Sequence, residues 1–418
     1  MNITLKNGQR CGMTSAPSSK SHAQRLLICA GLGASGVTLD CGDISKDIAA
    51  AASCVQTLCA DVTELHEGVL RVEPCAKPSK GVKVLHCGES GSTLRFLIPV
   101  CGALGQSVVF KMEGRLSERP LSPLDEVLTE HGMTLERIGT ELHCSGKLTG
   151  GEFEIAGNVS SQFISGLLFA LPLLDTDSTL AVTGKLESSA YIAMTENALR
   201  RSGIEFAKND NVYAIPGNQR YRLNEACTVE GDLSNAAFFL CMGALSDKGV
   251  TVKNIPEHTS QGDKKIIDIL RSFGADVTVS GDSVTVKKGR LTACTVDASE
   301  IPDLVPVVSV VAAAAEGDTH IINAARVRLK ESDRLMTTAT LLCSLGASVE
   351  ELPDGLIIHG GRPLHGGTID SFNDHRIAMS AAVAACICTE PVTVTGCECV
   401  NKSFPRFWEN FSGLECGQ

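Results

Sequence analysis

Polar starts followed by small apolar runs recur along the chain with one period. Ser18-Ser19-Lys20-Ser21 leads into Leu26-Leu27-Ile28-Cys29-Ala30, and Ser90-Gly91-Ser92-Thr93 leads into Phe96-Leu97-Ile98-Pro99-Val100. Ser160-Ser161-Gln162-Phe163 precedes Gly166-Leu167-Leu168-Phe169-Ala170, and Asp232-Leu233-Ser234-Asn235 precedes Ala236-Ala237-Phe238-Phe239-Leu240. Pro302-Asp303 precedes Val307-Val308-Ser309-Val310-Val311-Ala312, and Asn373-Asp374-His375-Arg376 precedes Ala381-Ala382-Val383-Ala384. Successive starts lie about 70 residues apart. None of the runs has a polar face, which predicts six helices buried on every side.

Between the runs a second phrase recurs, an amphipathic helix and then a hairpin. Phe273-Gly274-Ala275-Asp276-Val277 precedes Asp282-Ser283-Val284-Thr285-Val286, and Leu345-Gly346-Ala347-Ser348-Val349 precedes Asp354-Gly355-Leu356-Ile357-Ile358. His131-Gly132-Met133 before Leu142 and Ser202-Gly203-Ile204 before Val212 fit the same frame, as does Leu58-Cys59-Ala60 before Gly68-Val69-Leu70. The glycines read as helix C-caps, and the alternating apolar runs read as strands joined by tight turns. Each period is then a βαβαββ-like repeat with its own buried helix and an outer sheet. Three repeats per domain is the simplest grouping. Repeats one to three lie between chain crossings near Cys11–Met13 and Thr228–Glu230. That places residues 1–12 and 229–418 in one domain and residues 13–228 in the other.

Composition narrows the function class. The 418 residues carry a net charge of −11, with one Trp and three Tyr. No global basic field or aromatic set is available for nucleic acid or an anionic membrane surface. Eighteen Cys occur without a CxxC pair, and many lie among Ala, Leu and Val, as in Ala384-Ala385-Cys386-Ile387-Cys388. They read as reduced core thiols rather than metal ligands or disulfides. Met1-Asn2-Ile3-Thr4-Leu5-Lys6 is no signal peptide, and the apolar runs are too interrupted to span a membrane, so a cytosolic monomer is expected.

Cations and hydroxyls collect at the polar helix starts: Lys20, Ser21 and Arg25; Ser92 and Arg95; Ser160, Ser161 and Gln162; His375 and Arg376. A helix N-terminus carries unpaired N–H groups and a partial positive charge, so these starts suit anionic groups. Each Ser or Asp is equally an ordinary N-cap, and an Arg one turn in is ordinarily solvated. Recurrence at six buried helices favours an anion site. The motif GxxxxGK[ST] is absent, which excludes a P-loop enzyme.

Eight segments, in order over essentially the whole chain, resemble the EPSP synthases. They are Pro17-Ser18-Ser19-Lys20-Ser21-His22-Ala23-Gln24-Arg25, Gly88-Glu89-Ser90-Gly91-Ser92-Thr93-Leu94-Arg95, Leu116-Ser117-Glu118-Arg119-Pro120-Leu121 and Ser160-Ser161-Gln162. Ile301-Pro302-Asp303, Lys330-Glu331-Ser332-Asp333-Arg334, Asn373-Asp374-His375-Arg376 and Lys402-Ser403-Phe404-Pro405 complete the set. The resemblance implies a two-domain inside-out α/β barrel with three repeats per domain, closing over a cleft. It implies transfer of the enolpyruvyl group of phosphoenolpyruvate to the 5-hydroxyl of shikimate 3-phosphate, with release of phosphate.

By the same resemblance, Lys20, Gly91, Arg119, Gln162, Arg334, Arg376 and Lys402 hold phosphoenolpyruvate. Lys20, Ser21, Arg25, Ser160, Ser161, Gln162, Ser188, Asp303, Arg326 and Lys330 hold the acceptor, with Tyr191 walling the pocket. Asp303 takes the hydroxyl proton, Glu331 protonates the methylene carbon and Lys20 lies between both substrates. No cofactor or metal is implied, because Arg and Lys supply the charge stabilisation. Glu89 stands where many members carry Asn, and Arg326 where Asn is frequent. Arg95 is expected to support the site, and His22 and His375 to be hydrogen-bonded supports rather than catalysts. An alternative is a UDP-N-acetylglucosamine enolpyruvyl transferase, which usually carries Lys-Asn near its start and a Cys in the loop here filled by Gly114–Arg119. Another is a non-catalytic anion-binding repeat scaffold, which the joint presence of Asp303 and Glu331 disfavours.

Overall fold

In a computed structural model that describes residues 1–75 and 81–416, the six apolar runs are helices: Lys20–Gly31, Gly91–Ala103, Ser161–Ala170, Leu233–Ala244, Val305–Ala314 and His375–Ala385. We call them the first to sixth core helices. Five begin at a side-chain cap, in which Ser19, Ser90, Ser160, Asp232 and Asp374 accept a backbone N–H of the first turn. Each cap satisfies one of the orphan donors of a helix start. The fifth core helix differs. It is entered through a 3-10 turn, Pro302–Leu304, and has no side-chain cap. Pro302 and Pro306 have no N–H, so fewer donors there need a partner.

The chain divides into two compact units, residues 1–18 with 230–418 and residues 19–229, and each has its own apolar core. The division falls after Ser18, six residues later than the sequence suggested, and after Val229, one residue later. Strand Arg10–Ser15 pairs in parallel with Val250–Lys253, Ala16 N–H donates to the Lys253 carbonyl at 2.9 Å, and Asp232 N–H to that of Pro17 at 2.8 Å. Residues 13–18 are therefore bound into the unit that holds the chain's end.

Among the described residues each unit contains three sheets, and five of the six share one design. In residues 19–229, Lys83–Gly88 runs parallel to Val108–Met112, which pairs antiparallel with Glu141–Ser145, and that strand with Thr134–Ile138. Glu152–Ala156, Ser178–Thr183, Val212–Ile215 and Ala207–Asn209 repeat the order. So do Val37–Asp40, Val69–Pro74 and Ala60–His66, whose parallel first strand is Ala226–Thr228 from the unit's far end. In the other unit Arg10–Ser15 plays that part for Val250–Lys253, Ser283–Lys287 and Asp276–Ser280. Among the described residues the sixth repeat has no hairpin. Its strand Val392–Thr395 pairs antiparallel with Asn2–Leu5 from the chain's start. The expected C-cap glycines are present: Gly274, with φ 95°, caps helix Ile266–Phe273, and Gly132, Gly203 and Gly346 also take positive φ.

Within residues 230–418 the three core helices pack against one another, and strands such as Val250–Lys253 alternate buried and open positions. Helices inside and sheets outside is the arrangement that apolar-all-round helices require. Among the described residues the cysteines are free, most are buried, and burial pushes thiols such as Cys29 up to about 12. They behave as small apolar residues. No helix among the described residues is long and apolar enough to cross a membrane.

Candidate active site

In the unit of residues 19–229 the starts of the three core helices are bonded to one another. Lys20 Nζ lies 3.0 Å from Asp47 Oδ2. Gln24 is the junction: its Nε2 donates to Ser90 Oγ at 3.0 Å, Thr93 Oγ1 at 3.1 Å and the Asp47 carbonyl at 3.2 Å, while its Oε1 accepts from Ser92 Oγ at 2.7 Å. Arg95 joins the second start to the third, donating to Gln162 Oε1 at 2.8 Å and to the Pro120 carbonyl at 3.1 Å. The guanidinium of Arg119 lies directly on Gly91, where an added Cβ would come 2.6 Å from Arg119 Nη1. A methyl at that position would displace the Arg119 guanidinium. Arg137 fixes the Arg119 loop by donating to the carbonyls of Ser117 and Arg119.

Arg25 is not the solvated residue its position suggests. It is 2% exposed and donates to Thr195 Oγ1 at 2.9 Å and to the carbonyls of Ser21 and Tyr191 at 2.7 and 2.8 Å. Burial lowers it to about 10, which leaves it cationic at neutral pH. Burial and the neighbouring Arg201 and Arg25 push His22 down to about 3, so it is neutral, with Nε2 3.2 Å from Arg201 Nη1. Ser188 sits at φ 54° before helix Ser189–Arg201, a left-handed conformation uncommon outside glycine. Ser160 and Ser161 flank the third helix start. Glu89 lies half-buried against Gly114, where a Cβ would meet its Oε2 at 2.5 Å.

In the other unit the charges gather on Arg334, which is 1% exposed. Its Nε donates to Asp374 Oδ2 at 2.8 Å and its Nη2 to Asp374 Oδ1 at 3.2 Å and Glu331 Oε2 at 2.7 Å. Its Nη1 donates to Asp303 Oδ1 at 2.6 Å. Burial opposes its charge, but Asp374, Glu331 and Asp303 outweigh that and hold it more firmly protonated than usual. Asp374 is wholly buried. Burial works against its charge too, yet Arg334 prevails and keeps it below the ordinary carboxylate range. Asp303 also receives Arg376 Nη2 at 3.3 Å and lies 3.4 Å from Lys330 Nζ. Lys402 Nζ donates to the Asn373 carbonyl at 2.6 Å, and Arg326 Nη2 to the Ser299 carbonyl at 3.0 Å. His375 is buried beside Asp374.

Sequence reasoning missed the residues that hold these groups in place. Asp47 and Thr195 carry no local signal, since each meets its partner only through the fold, and Gln24 stands inside a quoted segment without a role there. Asp374 stands inside a quoted segment but reads there simply as a cap. Asp333 pairs with Arg328 at 2.9 Å. Asp263 is buried, and burial together with the Asp303 carboxylate raises it to about 6.

The model of the family EPSP synthase (3-phosphoshikimate 1-carboxyvinyltransferase) matches residues 8–411. A 3-phosphoshikimate 1-carboxyvinyltransferase of Clostridium kluyveri is 40% identical over 406 residues, which is 96% of this chain and 95% of that protein. One of Clostridium acetobutylicum is 43% identical over 95% of this chain and 94% of its own length. In fold, the chain is similar to the EPSP synthase of Acinetobacter baumannii, with TM-score 0.81, 24% identity and full coverage of both chains. It is also similar to the enolpyruvyl transferase NikO of Streptomyces tendae, with TM-score 0.79 and 16% identity over 99% of this chain and 97% of that one. The chain belongs to the EPSP synthase family.

Proposed function

We propose that the chain moves the enolpyruvyl group of phosphoenolpyruvate to the 5-hydroxyl of shikimate 3-phosphate and releases phosphate, with the residues named above in the roles that the family resemblance implies. The observation that carries the reading is the cluster on Arg334, where one buried guanidinium holds Asp303 and Glu331 at two of its nitrogens. A carboxylate that accepts the hydroxyl proton and a carboxyl that protonates the methylene carbon are the two proton-transfer groups this addition needs. Lys330 and Arg376 beside Asp303 favour its ionised form, as a base requires.

Glu331 needs the opposite state to donate. Its bond to Arg334 favours the carboxylate, so donation requires that the guanidinium be drawn toward an incoming anion. The carboxylate and phosphate of phosphoenolpyruvate are such anions, and Arg334, Arg376, Lys402, Arg119 and Lys20 are the cations proposed to receive them. Ser21, Arg25, Ser160, Ser161, Gln162, Ser188, Arg326 and Lys330 are proposed to hold the acceptor, and the Gly91 backbone to meet the donor. The enzyme is further proposed to work in the cytoplasm as a monomer, and light scattering on the purified protein checks the second point.

The test is phosphate release from the two substrates, with the carboxyvinyl ether product identified by NMR. Asp303→Asn is expected to lower turnover ~10²–10⁴-fold while both substrates still bind. Near-normal turnover in that variant would remove Asp303 from the base role. Turnover with UDP-N-acetylglucosamine in place of shikimate 3-phosphate would overturn the choice of acceptor.

A further inference from the structure

We propose that Arg328 is the positioning residue of the segment carrying Lys330 and Glu331, an inference that rests on the function proposed above. That segment leaves strand Asp318–Ile322, forms the 3-10 turn Ala325–Leu329 and enters helix Arg334–Ser344. So short a turn has little hydrogen bonding of its own, and bonds from outside must hold it.

Arg328 supplies five. Its Nε donates to the Pro353 carbonyl at 3.0 Å and its Nη2 to the Leu352 carbonyl at 2.7 Å. Its Nη1 reaches Asp333 Oδ2 at 2.9 Å, Asp333 Oδ1 at 3.1 Å and Glu351 Oε1 at 2.7 Å. The planar guanidinium fork suits this spread of acceptors, which a point-charge ammonium could not bridge.

The far side of the clamp is closely packed. The turn between Ser348–Leu352 and Gly355–His359 packs so closely on the preceding strand that a Cβ at Gly355 would lie 2.0 Å from the Ile321 carbonyl oxygen. Ala324 N–H donates to the Asp354 carbonyl at 2.7 Å and binds the start of the segment to the same turn. Asp333, at the other end, caps the next helix by accepting Met336 N–H at 3.2 Å. Lys330 and Glu331 thus lie between two points, Arg328 and Asp333, that one guanidinium pins to a fixed turn. Their contacts with Asp303 at 3.4 Å and Arg334 at 2.7 Å depend on that span keeping its length and direction.

The full-length protein, Arg328→Ala and Arg328→Lys are assayed with shikimate 3-phosphate and phosphoenolpyruvate. Arg328→Ala is expected to lose about 10²-fold in kcat, the scale of a 1 Å misplacement of a reacting group, with KM values within roughly threefold. Arg328→Lys keeps charge and stem and is expected to lose kcat in the same direction, which tests the idea even if Arg328→Ala does not fold. Millimolar guanidinium is expected to restore part of the Arg328→Ala rate and none of the Asp303→Asn rate. Unchanged kcat in either folded variant, with melting temperature alone reduced, overturns the positioning role. So does a loss confined to KM. Wild-type protein that releases no phosphate from these substrates overturns the functional reading, and this inference with it.

Discussion

Asp263 shows how one buried carboxyl can cost stability at neutral pH. Its carboxyl ionises near 3.9 in the unfolded chain and at about 6 in the fold, because burial and the neighbouring Asp303 carboxylate both disfavour its charge. A carboxyl with a raised folded value contributes most below its unfolded value. That contribution declines as pH rises from about 4 to about 6 and is flat above. Asp263→Asn has no proton to lose, so it is expected to gain stability relative to wild type over that window. The gain reaches up to about 3 kcal/mol at pH 7.5 and vanishes near pH 4. Urea unfolding at several pH values measures it. A difference that does not change with pH would show that Asp263 does not titrate in this range. A gain in stability accompanied by lost turnover would mark a residue kept for function rather than for the fold.

At the scale of the element, one cap of a core helix also holds a charged neighbour. Asp374 starts the sixth core helix by accepting Arg376 N–H at 2.9 Å and is the partner of Arg334 at 2.8 Å and of Ser332 Oγ at 2.9 Å. Two substitutions separate these duties. Asn caps a helix as well as Asp does, so Asp374→Asn keeps the cap and removes the charge that faces Arg334. It is expected to cost about 3–5 kcal/mol, the scale for breaking a buried ion pair. Asp374→Ala also loses the cap and is expected to cost about 1 kcal/mol more. Equal stability of Asp374→Asn and wild type in denaturant unfolding would show that Asp303 and Glu331 alone suffice for Arg334. The cap was legible as Asp before an apolar run. Its bond to Arg334, 40 residues away in sequence, was not.

For the whole molecule, the legible part was the local period and the hidden part was its closure. The six starts, the buried helices and the hairpins each repeat a short pattern that survives without tertiary context. The pairing of chain start with chain end leaves no such pattern. Asn2–Leu5 pairs with Val392–Thr395 in the register Asn2 to Thr395 and Leu5 to Val392, and Arg10 pairs with Cys416. Since these strands supply what the sixth and fourth repeats lack, the first residues are structural parts of the unit that ends the chain. Leu5 is buried in that unit's core, at 3% exposure. Leu5→Ala is expected to destabilise it by about 2–5 kcal/mol, the range for emptying a leucine site in a packed core. Residues 19–229 have a separate core, so the loss should stay within one unit. Amide hydrogen exchange distinguishes the cases: protection should fall across Val392–Thr395 and Gly367–Asp370 while Val108–Met112 and Ser178–Thr183 keep theirs. Unchanged protection across Val392–Thr395 would show that the sixth repeat's sheet stands without the chain's first strand.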